Sequence, residues 1–104
     1  MRILKFIVQT QIITMDPGCD FSGIVSGTKG YLQAEFNVSK EWAGCRMAAV
    51  FRCLGKEYAQ PVKNGRCEIP ADALTWDRFS VRLVGQKENY RITTDEIIIQ
   101  QERR

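Results

Sequence analysis

Few residues of this chain have types and spacing that could do chemistry. Histidine is absent, which removes the commonest general base and the commonest metal ligand together. No serine, threonine or cysteine can therefore be activated by an imidazole. Asp72 and Asp77 lie close in sequence, as do Asp95 and Glu96. Neither pair has the apolar surroundings that would drive two carboxylate pKa values apart. They read as solvated loop charges. No catalytic residue is expected, nor any cofactor, and the chain reads as a non-enzyme.

Cys19, Cys45, Cys53 and Cys67 could pair in three ways. None falls in a C-x-x-C pair, so no metal site is expected. Without an export signal they read as reduced thiols, Cys53 and Cys67 buried in strands. Gly23, Gly27 and Gly30 punctuate Cys19 to Gly30 without either common phosphate-loop pattern. That stretch reads as a loop around a short strand at Phe21 to Val25.

The arginines give the sharper signal. Arg46, Arg52, Arg66, Arg78, Arg82 and Arg91 occupy outward positions on successive predicted strands. If those strands are neighbours, one sheet face carries an arginine stripe able to hold an acidic protein surface or a phosphate backbone. The favoured reading is plainer: the arginines interleave with Glu57, Glu68 and Glu88 as a solvated face. The net charge is only +3, and outward aromatics are few, Tyr31 and Tyr58 being the exceptions. Nucleic acid is therefore not the expected partner.

The elements that must position these side chains are strands. Leu32, Ala34, Phe36 and Val38 alternate with Tyr31, Gln33, Glu35 and Asn37, the period of a half-buried strand. Met47, Ala49, Phe51 and Cys53 repeat the pattern, as do Phe79, Val81 and Leu83. Arg2 to Thr14 is one strand or a long bent one, with Leu4, Phe6, Val8 and Ile12 on one face and Ile3, Ile7 and Ile13 on the other. Being apolar on both sides, it must be central or covered. Tyr90 to Gln100 is the last long strand, its inward set passing from Tyr90, Ile92 and Thr94 to Ile97 and Ile99 across a bulge near Asp95.

Turn chemistry separates these runs. Asp16-Pro17-Gly18 makes a turn, Asn64-Gly65 a type I′ hairpin, and Gly85 to Asn89 another hairpin loop. Pro61 places Glu57 to Val62 at an edge or bulge. Ser39 is set to cap one helical turn, after which Trp42 folds back as a core plug. Pro70 opens a second helical turn, and Leu74 and Trp76 close one end of the core. Glu102, Arg103 and Arg104 form a frayed tail.

At 104 residues the chain is one domain, large enough to bury roughly two-thirds of its unfolded surface. Seven or eight short strands with no long helical period indicate an all-β fold, an antiparallel, immunoglobulin-like β-sandwich with one or two helical turns. No signal peptide or membrane-spanning segment is expected.

The segments F-N-V-S-K-E-W (36 to 42), A-A-V-F (48 to 51), N-G-R-C-E-I-P-A-D-A-L (64 to 74), F-S-V-R-L-V-G (79 to 85) and R-I-T-T-D (91 to 95) carry a resemblance. Their order and spacing resemble small β-sandwich proteins encoded in phage and prophage tail or baseplate regions of Gram-positive bacteria; Met1 to Gly30 does not share it. The resemblance implies framework roles for Phe36, Trp42, Ala49, Phe51, Cys67, Pro70, Leu74, Phe79, Val81 and Gly85. It implies a tail or baseplate structural or assembly protein that contacts phage tail proteins, as a homo-oligomer in one version. Edge pairing beside Pro61 or across the first strand is an expected assembly route. Two alternatives remain: a phage-encoded inhibitor of a host defence protein, and a carbohydrate-binding module that stacks sugars on Trp42 or Trp76. Virion or host cytoplasm is the expected location.

Overall fold

The computed structural model describes residues 1–102. Its strands are β1 (Arg2–Gln9), β2 (Ile12–Met15), β3 (Leu32–Val38), β4 (Arg46–Cys53), β5 (Lys56–Val62), β6 (Arg66–Glu68), β7 (Arg78–Lys87), β8 (Tyr90–Thr93) and β9 (Ile97–Gln100). One sheet has the order β2-β1-β3-β6; the other has β5-β4-β7-β8, with β9 also paired to β7. Single 3-10 turns at Lys40–Trp42 and Ala71–Leu74 carry the chain between the sheets. The result is the expected all-β sandwich, with nine strands among the described residues where seven or eight were expected, and β3→β4, β5→β6 and β6→β7 all cross between the sheets.

The expectation of a wholly antiparallel fold is corrected at β1. It runs parallel to β3, from Arg2 opposite Leu32 to Val8 opposite Val38. The two strands are separated by a chain long enough to return to the starting end, as parallel pairing requires. β1 lies inside its sheet: β2 pairs with its Phe6–Gln9 half on the other side, and Cys19 Sγ meets the Lys5 amide and the Ile3 carbonyl beside the remaining half. β5 is an edge strand, as Pro61 requires.

The long first strand breaks in two at Thr10, whose φ of 51° is unusual for a β-branched residue. Two tertiary contacts hold it there. The Thr10 amide donates to Ser39 Oγ at 3.0 Å, and its carbonyl accepts from Trp42 Nε1 at 2.8 Å. Ser39 thus serves Thr10, and its side chain does not cap the turn that follows it. The break also changes which isoleucine is buried: Ile13 faces the core and Ile12 faces solvent, the reverse of the expectation.

Trp42 fills the core as expected, with 0% exposure. It sits among Phe6, Phe36, Phe51 and Phe79 in one continuous cluster, where Phe6 and Phe36 stack at 5.4 Å between centroids. Leu74 is buried and Trp76 half-buried at the end of that cluster. Ile97 and Ile99 face inward, but the last strand is broken by more than a bulge. At the break the Asp95 carboxylate accepts the Ile13 amide at 3.0 Å, and Gln11 Nε2 donates to the Thr93 carbonyl at 3.2 Å. These contacts tie the two sheets together along one side.

Four further expectations are revised. Phe21 to Val25 makes only an isolated bridge, at Val25. That loop is held by the Arg2 guanidinium on the carbonyls of Asp20 and Ser22. β7 continues through Gly85 to Lys87, which shortens the expected hairpin loop. Tyr90 lies beyond the end of the core, exposed, with its hydroxyl donating to the Glu41 carbonyl at 2.6 Å. Glu102 pairs with Val25 and is not frayed, while Arg103 and Arg104 fall outside the described residues.

All four cysteines are free, with Cys53 and Cys67 buried as read from the sequence. Burial pushes the Cys67 thiol up to about 12. The folded chain keeps that proton in the pH range where the unfolded chain has lost it, so stability falls as pH rises from about 9 toward 12. In urea titrations at pH 7 and pH 10, Cys67→Ala is expected to lose less stability between the two pH values than the parent. A thiol reagent at pH 8 is expected to modify Cys19 and Cys45 first, with Cys53 and Cys67 reacting only on unfolding.

Candidate functional site

The arginines sort by sheet. Arg46, Arg52, Arg78, Arg82 and Arg91 all belong to β4, β7 and β8, and therefore to the five-stranded sheet. Arg66 does not. It lies on β6 in the other sheet, where its Nε pairs with Glu35 at 2.8 Å. The stripe is thus five residues on one face, because alternation fixes the face of a strand but not the sheet it joins.

On that face, cross-strand register builds successive rows. Arg46, Gln86 and Arg91 are aligned across β4, β7 and β8. The next row is Pro61, Ala48, Val84 and Thr93, followed by Ala59, Val50 and Arg82. Beyond them come Glu57, Arg52, Ser80 and Ile98.

Arg82 divides this face. Its guanidinium donates to Glu57 Oε2 at 2.8 Å, although Glu57 is on β5 and Arg82 on β7, with β4 between them. The side chain must therefore cross β4, and it covers Val50, which is only 9% exposed on the nominally outer face. On its other side Glu96 approaches Arg82 at 3.9 Å and Arg52 at 3.6 Å, while accepting the Ser80 hydroxyl at 2.9 Å. Arg82's hydrogen bond, and then its charge, hold the Glu57 carboxyl below its ordinary value. Such a group contributes stability above the unfolded carboxylate pKa and loses it as pH falls through the lower folded value. Of the three acids expected to interleave, only Glu57 pairs with an arginine of this face: Glu68 lies on β6 in the other sheet, and Glu88 makes no ion pair among the described residues. Glu96 is the partner that sequence reading missed, because only the β7–β9 register brings it close.

Above this bar, the Arg46–Gln86–Arg91 row has no acidic partner among the described residues. Two adjoining concavities share Arg46 and Gln86. One, of about 410 Å³, has Ala48, Ala59, Pro61 and Val84 as its floor. The other, of about 790 Å³, extends along the β7–β8 hairpin past Gly44 and Lys87 to Tyr90, where the Lys87 ammonium lies 5.9 Å from the Tyr90 ring centre. Below the bar lies a separate pocket between the β4–β5 hairpin tip and Ile98.

Trp42, one of the two sugar platforms considered above, is sealed in the core. Tyr58, expected outward, packs against the core, whereas Tyr31 is exposed as expected. Among the described residues no group of carboxylates and thiols could hold a metal ion. No helix among them is long and apolar enough to cross a membrane. No protein-family model, curated protein or solved structure matches the chain.

Proposed function

We propose that this chain is a non-enzymatic protein-binding module, a structural or assembly component of a phage tail or baseplate that works through the outer face of its five-stranded sheet. The carrying observation is the upper half of that face. A floor of Ala48, Ala59, Pro61 and Val84 is bordered by Arg46 and Arg91, whose charges have no acidic partner among the described residues. An apolar centre with arginine at its border is the anatomy of a protein interface. A partner covering roughly 800 Å² would use most of such a face. The phage setting is supported by the sequence resemblance between Phe36 and Asp95.

Arg46 and Arg91 are better probes than Arg78 and Arg82. Reversing Arg82 would also break the bridge over Val50, so its effect would mix binding with stability. Quantitative mass spectrometry of purified particles is expected to find the chain in fixed ratio to tail proteins. Arg46→Glu with Arg91→Glu is expected to lower incorporation at least tenfold with melting temperature unchanged. Absence of the chain from particles, with abundance in the infected-cell lysate, would overturn the tail assignment and direct attention to a host protein.

A further inference from the structure

The pocket below the Arg82 bar is built around a residue that turn chemistry does not explain. Leu54 and Gly55 form the tip of the β4–β5 hairpin with φ values of 53° and 78°, and Asn64 and Gly65 form the next tip with 53° and 76°. The same left-handed conformation is thus occupied once by asparagine, which tolerates it, and once by leucine, which does not. Leu54 is also 62% exposed, so burial does not offset the strain.

What Leu54 does is wall a pocket of about 340 Å³. Ile98, 55% exposed, stands at another wall, Trp76 lines it as well, and Phe79 reaches it from the core. The size and apolar lining are those of a site for a single side chain or small ligand.

Charge selects among occupants. Arg52 and Arg78 border the pocket. Arg78 lies 5.2 Å from the Trp76 ring centre, and its Nε is 3.5 Å from Asp77 Oδ1. No hydrogen bond engages its guanidinium among the described residues. Glu96, the acidic residue in the lining, is already engaged by Ser80, Arg52 and Arg82. Arg52 and Arg78 each have one acidic neighbour, at 3.6 Å and 3.5 Å, but neither guanidinium makes a hydrogen bond among the described residues, so both keep donors for an incoming carboxylate.

We propose that this pocket is an anchor site for an anionic apolar group: an aromatic or branched side chain of a protein partner, with a carboxylate beside it. The proposal rests on the reading of this sheet face as a protein interface, and names what the partner inserts there. Leu54 is held in a strained, exposed position because the anchor packs against it.

The test uses N-acetyl-L-phenylalanine, with N-acetyl-L-phenylalaninamide as its uncharged counterpart, titrated into the ¹⁵N-labelled chain. The expected result is saturable shifts at Leu54, Gly55, the Trp76 indole N–H and Ile98, with the acid binding at least fivefold more tightly than the amide. Leu54→Gly is expected to raise the melting temperature, since glycine relieves the strain, and to weaken binding at least fivefold. Absent shifts, equal affinity for acid and amide, unchanged affinity in Leu54→Gly, or saturable binding of a chitin oligosaccharide at Trp76 would each overturn the anchor. Particle incorporation separates this from the larger reading: loss in Arg46→Glu/Arg91→Glu with full retention in Leu54→Gly would remove the anchor and leave the interface standing.

Discussion

Replacing Trp42 with alanine is expected to cost about 3–5 kcal/mol, a large fraction of the roughly 5–15 kcal/mol that holds a typical domain folded. Trp42 is the largest fully buried side chain, so its removal leaves a cavity that the facing sheets cannot close without shifting. It also holds a second element in place. Its indole N–H bonds the carbonyl of Thr10, the residue that turns β1 into β2 against its own backbone preference. Trp42→Phe keeps most of the volume and orphans that carbonyl, with an expected cost of about 1–3 kcal/mol. Urea unfolding followed by circular dichroism measures both variants. Trp76→Phe, at a half-buried position, serves as the control and should lose under about 1.5 kcal/mol. Comparable losses at Trp42 and Trp76 would contradict the placement of Trp42 as the central plug.

The second large effect is expected at Gly85, in the middle of β7. A Cβ built there would lie 2.8 Å from both Cε3 and Cζ3 of Trp42, and 3.3 Å from Cys45 Cβ. Neither neighbour can swing aside, because one is clamped in the core and the other is a first side-chain carbon. Gly85→Ala is therefore expected to cost about 1–3 kcal/mol by overpacking, even though alanine suits a strand better than glycine does. The sign of the coupling checks the mechanism. With Trp42→Phe in place the clashing ring atoms are gone, so the double variant should be less destabilised than the sum of the two singles. Simple additivity would show that Gly85 is needed for some reason other than the tryptophan.

Gly85 also shows where sequence reading stopped short. A glycine after an alternating run reads locally as the start of a hairpin loop, but Gly85 marks a close approach inside the strand. Nothing local distinguishes the two, since the ring it faces comes from the turn before β4, far away in sequence. What was legible was local: the alternation of Leu32, Ala34 and Phe36, the Asn64-Gly65 turn, the edge forced by Pro61, and the burial of Trp42. What was not legible depends on pairing partners. Alternation gives the inward set of β1 and β3 but not their parallel direction. It turns Arg66 outward but does not say that its sheet is the other one.

The candidate site has the same division. Its arginines were recognisable as outward residues, and Glu57 as a neutralising partner. The row joining Arg46 to Arg91, the crossing of β4 by Arg82 and the seat beside Leu54 exist only once β4, β5, β7, β8 and β9 are set in register. Leu54 did carry a signal, as a leucine preceding glycine where a two-residue hairpin favours asparagine or aspartate. It is legible only when set against Asn64-Gly65 in the same chain.

The most direct test of the central claim, that the chain acts through the outer face of its five-stranded sheet, compares the two faces in one experiment. Ala59→Glu with Arg46→Glu alters that face, while Lys5→Glu with Gln33→Lys alters the outer face of the four-stranded sheet. Each variant would be supplied in place of the parent during phage production, and its copies per tail counted by mass spectrometry of purified particles, with melting temperatures measured alongside. The expected result is loss of at least nine-tenths of the copies for the first pair and near-parental copy number for the second, with both proteins folded. Parental incorporation of the first pair, or selective loss of the second, would contradict the claim.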